Sequence, residues 1–328
     1  MHNEQLKGHL MALACTVFWG TAYIGSKNLL AVGLAPPQII LCRQGVAFLI
    51  MCLLTRNYLP IGGLSGLKRD RFLIAAGIMG AAMYYLLEST ALQYTYATNV
   101  SLVVATSPLF ATLFNRFLPG PDRTPLCKTF FYGLALCLIG VALVILNGTR
   151  LQLNPLGDCI GLLASASWAG YSFFLKRAQR VNDEQDRPLN DMELTRRSLF
   201  YGIMLVLVVF LIGGGHFRTA IFQTKPLLTL FYLGALPSAC AFLLWGRSIQ
   251  RIGMLNASLY VNLSPLVASS SAALLLGEQL TLMSGLGMAA IVLGLAFTQN
   301  LPSLLASRLT QSIGSRCAVP ALGGKSRI

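Results

Sequence analysis

Residues Thr98–Leu109 read TNVSLVVATSPL, and residues Leu255–Leu266 read LNASLYVNLSPL. Seven of the twelve positions are identical, including the Ser-Pro-Leu that closes each stretch. At the same offset of 157, Leu92-Gln93 meets Ile249-Gln250. Working outward, Phe18-Trp19-Gly20 running to Lys27 matches Ser167-Trp168-Ala169 running to Lys176 at an offset of 149, and Gly133 and Gly140 match Gly287 and Gly294 at an offset of 154. Chance likeness between apolar segments would account for any one of these matches. Three in the same order, with offsets that differ only by loop lengths, predict a chain made of two similar halves.

The composition says where those halves sit. Of 328 residues, 55% are apolar and 11% charged, against about 25% charged in a soluble globular domain. The apolar residues come in long runs: 12–34 is interrupted only by Lys27, and 199–215 carries no charge. Such runs suffice for a helix that must cross a hydrocarbon layer of ~30 Å. A soluble enzyme and a secreted disulfide scaffold are thereby excluded, and an all-α integral membrane protein is expected.

Hydropathy marks ten spans, approximately 10–32, 36–55, 72–94, 97–118, 127–147, 156–176, 196–214, 226–246, 255–276 and 280–300. Pro36-Pro37, Pro60 with Gly62-Gly63, Pro119-Gly120-Pro121, Pro155 and Gly213-Gly214-Gly215 punctuate their ends. Five spans per half is an odd number, so the second half must enter the membrane upside down. That is the architecture of inverted-repeat secondary transporters, which bind substrate near the midplane between the repeats. The expected organisation is a first repeat over 10–147, a connecting region over 148–195 that includes the first helix of the second half, a second repeat over 156–300 and a cytoplasmic tail over 301–328. Residues 178–195 read as the longest polar loop. The first apolar run is too long for a cleaved signal segment and its pattern recurs in the second half, so it is expected to stay as a span.

With the N-terminus inside, 20 of the 25 Lys and Arg residues fall on the cytoplasmic side, 4 on the opposite side, and Arg43 within a span. Positive charge retained on the cytoplasmic side fixes orientation, so both termini are expected there, in a cytoplasmic (inner) membrane. The net charge of +14 is thus read as topology-setting loop charge; no nucleic acid partner is expected. The eight cysteines include no CxxC pair and read as small membrane-core residues, with no metal site. There is no Walker sequence, no HExxH and no paired-Asp motif, so neither an enzymatic activity nor a cofactor is expected.

The chain resembles the drug/metabolite transporter superfamily, EamA type. The residues that carry the likeness are FWGTAYIGSK (18–27), LCRQGVAF (41–48), ALQYTYATNVSLVVATSPLFATL (91–113), SWAGYSFFLKR (167–177), and WGRSIQRIGMLNASLYVNLSPLVASSSAALLLGEQLT (245–281) with GMAAIVLGLAF (287–297). It covers about residues 10–300, and the second-half motif is the most specific. NRFLPGP (115–121) departs from the Gly-Glu that such repeats carry at that turn, as at Gly277-Glu278. The resemblance implies export or uptake of small metabolites, amino acids or drugs; export by alternating access, driven by protons or by exchange, is expected. A flippase for a lipid-linked or polyprenyl phosphate substrate is the alternative.

Glu88 is the only acid deep in an expected span, about 7–8 Å from its outer end at 1.5 Å per residue. An ionised carboxylate there is costly unless it is paired or faces water. Proton coupling or substrate contact is one reading; a static pair with Arg43, at comparable depth, is the other. Polar and aromatic residues recur at helical spacing: Trp19 and Tyr23, Tyr84 and Glu88, and Asn256 and Tyr260 at i,i+4, with Asn99 and Thr106, and Asn262 and Ser269, at i,i+7. Trp168, with Ser165 and Ser172, is the second-half counterpart of the first stripe. Together they read as the lining of a substrate pathway, and singly as packing residues or interfacial anchors. Pro108 and Pro265, at equivalent positions, are expected to kink their helices.

Overall fold

A computed structural model of the chain describes residues 2–56, 63–94, 100, 103–118, 128–146, 154–185, 188–267, 270–271 and 282–298. All regular structure among them is helical. Helix α1 spans His2–Ala31 and α2 Pro36–Thr55. The short α3, Gly63–Arg69, leads into α4, Arg71–Tyr94. Then come α5 (Ser107–Phe117), α6 (Lys128–Leu146), α7 (Pro155–Asp183), α8 (Asp191–Ile212) and α9 (Thr224–Ile252). Helix α10, Met254–Leu259, runs on into a 3-10 turn at Tyr260–Leu263, and α11 covers Leu282–Thr298. By length and hydropathy α2, α4, α8 and α9 can each cross a membrane, while 128–143 of α6 and 285–295 of α11 are shorter apolar stretches.

Local chemistry explains most ends. Gly33 adopts φ +83°, a left-handed conformation that a residue with a Cβ resists, and so turns the chain sharply from α1 into Pro36-Pro37 at the start of α2. The polar stretch 178–195 is less of a loop than its composition suggests. Helix α7 continues to Asp183, helped by the Arg180–Glu184 pair. Helix α8 starts at Asp191 with a capping box in which the Asn190 side chain accepts from the Glu193 backbone and the Glu193 side chain accepts from the Asn190 backbone. Polar composition marked this stretch as non-spanning but said nothing against helical extensions beyond the membrane.

The expected span 97–118 is also interrupted. A turn at Ala105–Thr106 precedes α5, so Pro108 sits at the second residue of a new helix, where its missing N–H costs nothing. Pro265 follows the 3-10 turn in the same way. Each proline thus follows a local tightening of the helical path, a turn before Pro108 and a 3-10 turn before Pro265. Residues 301–328, expected as a tail, lie outside the described residues.

Two helices carry π-helical segments, Gly77–Tyr84 within α4 and Gly234–Cys240 within α9. Their starts are 157 residues apart, the offset of the repeated motif. Packing is crosswise between the halves: α1 lies on α9, α7 on α4, α2 on α8 and α6 on α11. The last contact is reciprocal. A Cβ at Gly140 would lie 2.6 Å from the Gly287 carbonyl oxygen and 2.7 Å from the Ile291 nitrogen; a Cβ at Gly294 would lie 2.6 Å from the Gly133 oxygen and 2.7 Å from the Cys137 nitrogen. Under a shift of 154 each set maps onto the other. As the index rises on one helix it falls on its partner, so the two run antiparallel.

One end of the bundle, here the near side, gathers the start of α1, α4 and α8 and the end of α7 and α9. Arg251 of α9 bonds to Glu4 of α1 at 3.0 Å, and Arg247 to Asp191 of α8 at 2.9 Å. Asp70, 1% exposed, accepts from Arg197 Nη1 at 2.8 Å and from the Tyr201 hydroxyl at 2.8 Å. These pairs fall on residues whose basic members the positive-inside count had placed together.

Candidate functional site

A cavity of about 760 Å³, measured to its open mouth, lies between the halves. Its lining climbs α1 from Trp19 through Ala22 and Ser26 to Leu30, and α4 from Tyr84 and Tyr85 through Glu88 and Ser89 to Leu92; Ile39, Ile40, Arg43, Val104, Trp168, Val261 and Ser264 complete it. It therefore runs from mid-bundle toward the far side. Toward the near side it is stopped by aromatic rings. Trp19 meets Trp168 edge-on with centroids 4.8 Å apart and Trp245 at 5.1 Å, while Trp168 also packs against Tyr84 and Tyr171 at 5.1 Å. Trp245, Tyr171 and Phe242 behind them are buried. Still nearer that end, Thr16 donates to the Tyr260 carbonyl at 3.1 Å and the Tyr260 hydroxyl bonds His9 Nδ1 at 2.9 Å.

The two charges on the lining are held differently. Arg43, 3% exposed, donates from Nε to Ser238 Oγ at 3.0 Å and from Nη2 to the Tyr85 hydroxyl at 3.4 Å, with its guanidinium carbon 4.3 Å from the Tyr85 ring centroid. Its Nη1 makes no hydrogen bond to another described residue. Glu88 accepts from the Tyr84 hydroxyl at 3.2 Å. The two neighbouring tyrosines thus divide between the two charges, one on the carboxylate and one on the guanidinium, with their rings 4.9 Å apart.

Among the expected residues, Trp19, Tyr84, Glu88, Arg43 and Trp168 line this cavity. Thr106 stands just behind Val104, bonded to Ser165 Oγ at 3.2 Å. Others are elsewhere. Asn256 donates to the Ile252 carbonyl of the preceding helix, Tyr260 belongs to the near-side contact with His9, and Asn262 is fully buried beside the Cys137 thiol. Pro108 and Pro265 are buried at helix starts. Asn99 and the side chain of Tyr23 lie outside the described residues.

Residues that sequence reading passed over are Tyr85, Ser238, Ser26, Ser89 and Ser264. Tyr85 had no signal at a spacing of 3.6, because the π segment before it inserts extra residue per turn and shifts the phase. Ser238 carries a pairing 195 residues distant from Arg43, which no local pattern reveals. Among the described residues no three His, Cys, Asp or Glu side chains converge as a metal site. The arrangement brings a guanidinium, a carboxylate, hydroxyls and aromatic walls together around one cavity.

The chain belongs to the EamA-like transporter family, whose model matches it twice, over residues 6–146 and 155–299. It is 27% identical over 291 residues to the uncharacterized inner membrane transporter YedA of Escherichia coli K12, covering 88% of each chain. It is 21% identical over 295 residues to an uncharacterized transporter of Clostridium kluyveri, covering 88% of this chain and 91% of that one. It is 25% identical over 303 residues to a Salmonella typhimurium protein named "Probable amino-acid metabolite efflux pump", covering 88% and 93%. A solved crystal structure shares the fold at a TM-score of 0.70 and 20% identity, over 92% of this chain and 98% of that one. The chain is thus a membrane transporter of this family and not an enzyme.

Proposed function

We propose that the protein exports a small polar organic solute, of the amino-acid metabolite kind, across the cytoplasmic membrane by alternating access between two inverted five-helix repeats. The observation that carries this reading is the one-sided cavity: accessible along the far halves of α1 and α4, closed on the near side by indole and tyrosine rings, with Arg43 and Glu88 at its depth. With the near side cytoplasmic, the orientation that the distribution of basic residues supports, the cavity corresponds to an outward-open state. A substrate carboxylate would take the Nη1 donor of Arg43, a charge-assisted bond in a partly desolvated site. Glu88 would carry the coupling proton, its environment setting when it binds and when it releases.

Three features support the inverted repeat. The antiparallel, reciprocal contact of α6 with α11 has the symmetry of an isologous interface, and a two-fold axis that exchanges antiparallel helices runs across them, within the membrane plane. The π segments fall at equivalent positions. Trp19 and Trp168, equivalent under the repeat, touch each other, as residues beside such an axis must.

The experiment is an efflux and uptake screen of amino acids and their derivatives in reconstituted vesicles, with and without a proton gradient. Gradient-dependent movement of a carboxylated solute is expected. Failure of every carboxylated solute, with movement of a cationic or lipid-linked one, would overturn the assignment at Arg43.

A further inference from the structure

The two repeat-equivalent indoles are bonded differently. Trp19 donates from Nε1 to the carbonyl of Pro237 at 3.0 Å, within the π segment of α9. Trp168, 3% exposed, has its Nε1 buried with no hydrogen-bond partner among the described residues. Under the offset of 157 that relates the π segments, Pro237 corresponds to Gly80, in the π segment of α4. The neighbour of Trp168 is already at that segment, but one residue short: Ser167 donates to the Met79 carbonyl at 2.8 Å. An identical pair of elements is therefore latched in one half and out of step in the other.

A buried indole N–H left without an acceptor is a destabilising feature that native structures rarely keep. Here it has an explanation in the reading of the chain as an alternating-access carrier, on which the inference rests. In such a carrier the halves exchange conformations between the two states, so each half must be able to adopt the other's contacts. We propose that Trp19 and Trp168 are alternating latches: in the present state Trp19 holds the Pro237 carbonyl, and in the oppositely open state Trp19 releases it while Trp168 Nε1 bonds the Gly80 carbonyl. The Ser167–Met79 bond belongs to the present state and breaks in the exchange. The latch is coupled to the solute site, because Ser238, the residue after Pro237, holds Arg43.

The test uses the full-length, cysteine-depleted chain carrying a Thr16→Cys reporter. Thr16 is fully buried on the near side, so labelling it with a membrane-impermeant maleimide in inside-out vesicles reports the fraction of the opposite state. One hydrogen bond shifts such an equilibrium by about two- to ten-fold. Trp19→Phe and Ser167→Ala, which each remove a bond of the present state, should raise the labelling rate by that factor. Trp168→Phe, which removes a donor unsatisfied now and needed later, should lower it by a similar factor while leaving thermal stability equal or higher. Opposite signs for the two tryptophans support the latch. Equal signs, or no change for Trp168→Phe in a chain that still transports, would overturn it without touching the transport reading. No labelling of the reporter in any variant, together with no transport, would overturn alternating access itself and the latch with it.

Discussion

Arg43 is a buried cation whose orientation depends on a residue in the other half of the chain. Its Nε bond to Ser238 and its contact over the Tyr85 ring fix the plane of the guanidinium, which leaves Nη1 for the solute carboxylate proposed above. Hydrogen bonds to charged groups contribute about 1.5–3 kcal/mol. Ser238→Ala should therefore weaken apparent affinity for a carboxylated solute about tenfold with little change in maximal rate, and Ser238→Thr should restore it; transport kinetics in vesicles would show this. At Glu88 the expectation is different. Glu88→Gln retains an acceptor for the Tyr84 hydroxyl but cannot titrate, so the protein should fold and transport without its pH dependence. An unchanged pH profile in that variant would remove Glu88 from coupling. Glu88, Arg43, Trp19, Tyr84 and Trp168 were legible in the sequence because a charge or an indole inside an apolar run needs a reason to be there. Tyr260 fitted the same spacing but faces His9. A stripe shows which residues share a helix face and not what that face meets.

At the level of helices, one of the close backbone contacts is also visible in the sequence. The spacing Gly133, Gly140, Gly287 and Gly294 predicts flat faces, and α6 and α11 pack backbone to backbone there. Gly140→Ala and Gly294→Ala should each destabilise by about 1–3 kcal/mol through overpacking. Because the contacts are reciprocal, the two effects should be alike in thermal unfolding. Gly45→Ala in α2 is the contrast, since a Cβ there meets nothing within 4 Å and only helix propensity changes, by about 0.5–1 kcal/mol in favour of Ala. The positions of the four membrane-length helices α2, α4, α8 and α9 were legible because 20 apolar residues have few other uses. The break before Pro108 was not, since the residues around it are as apolar as a continuous helix would need; the π segments left no compositional mark either.

For the molecule as a whole, the near-side ion pairs define which helix ends belong together, and the basic-residue count supports the proposal that this end is cytoplasmic. A Gln185→Cys variant, at an exposed position just past α7, should resist an impermeant thiol reagent in intact cells and react after permeabilisation. Reaction in intact cells would reverse the topology. The Glu4 carboxyl is held below its ordinary 4.5 by hydrogen bonds from Lys7 and Arg251. Its tie between α1 and α9 is therefore in place at neutral pH and lost as pH falls through that depressed value. The halves could be read from the sequence because the repeat survives in short motifs. The cavity between them could not, because it is made by residues that meet only after the halves interlock.

The two π-helical segments also bear on where the chain can change length. A residue removed from an ordinary helix turns everything after it by about 100°, which in α2 would carry Arg43 away from the cavity. A π turn already holds one residue more than an α turn. A single deletion within 77–84 or 234–240 lets the segment close to regular α-helix while both flanks keep their facing. Insertions and deletions that leave the carrier assembled should therefore concentrate at these two places, one in each half.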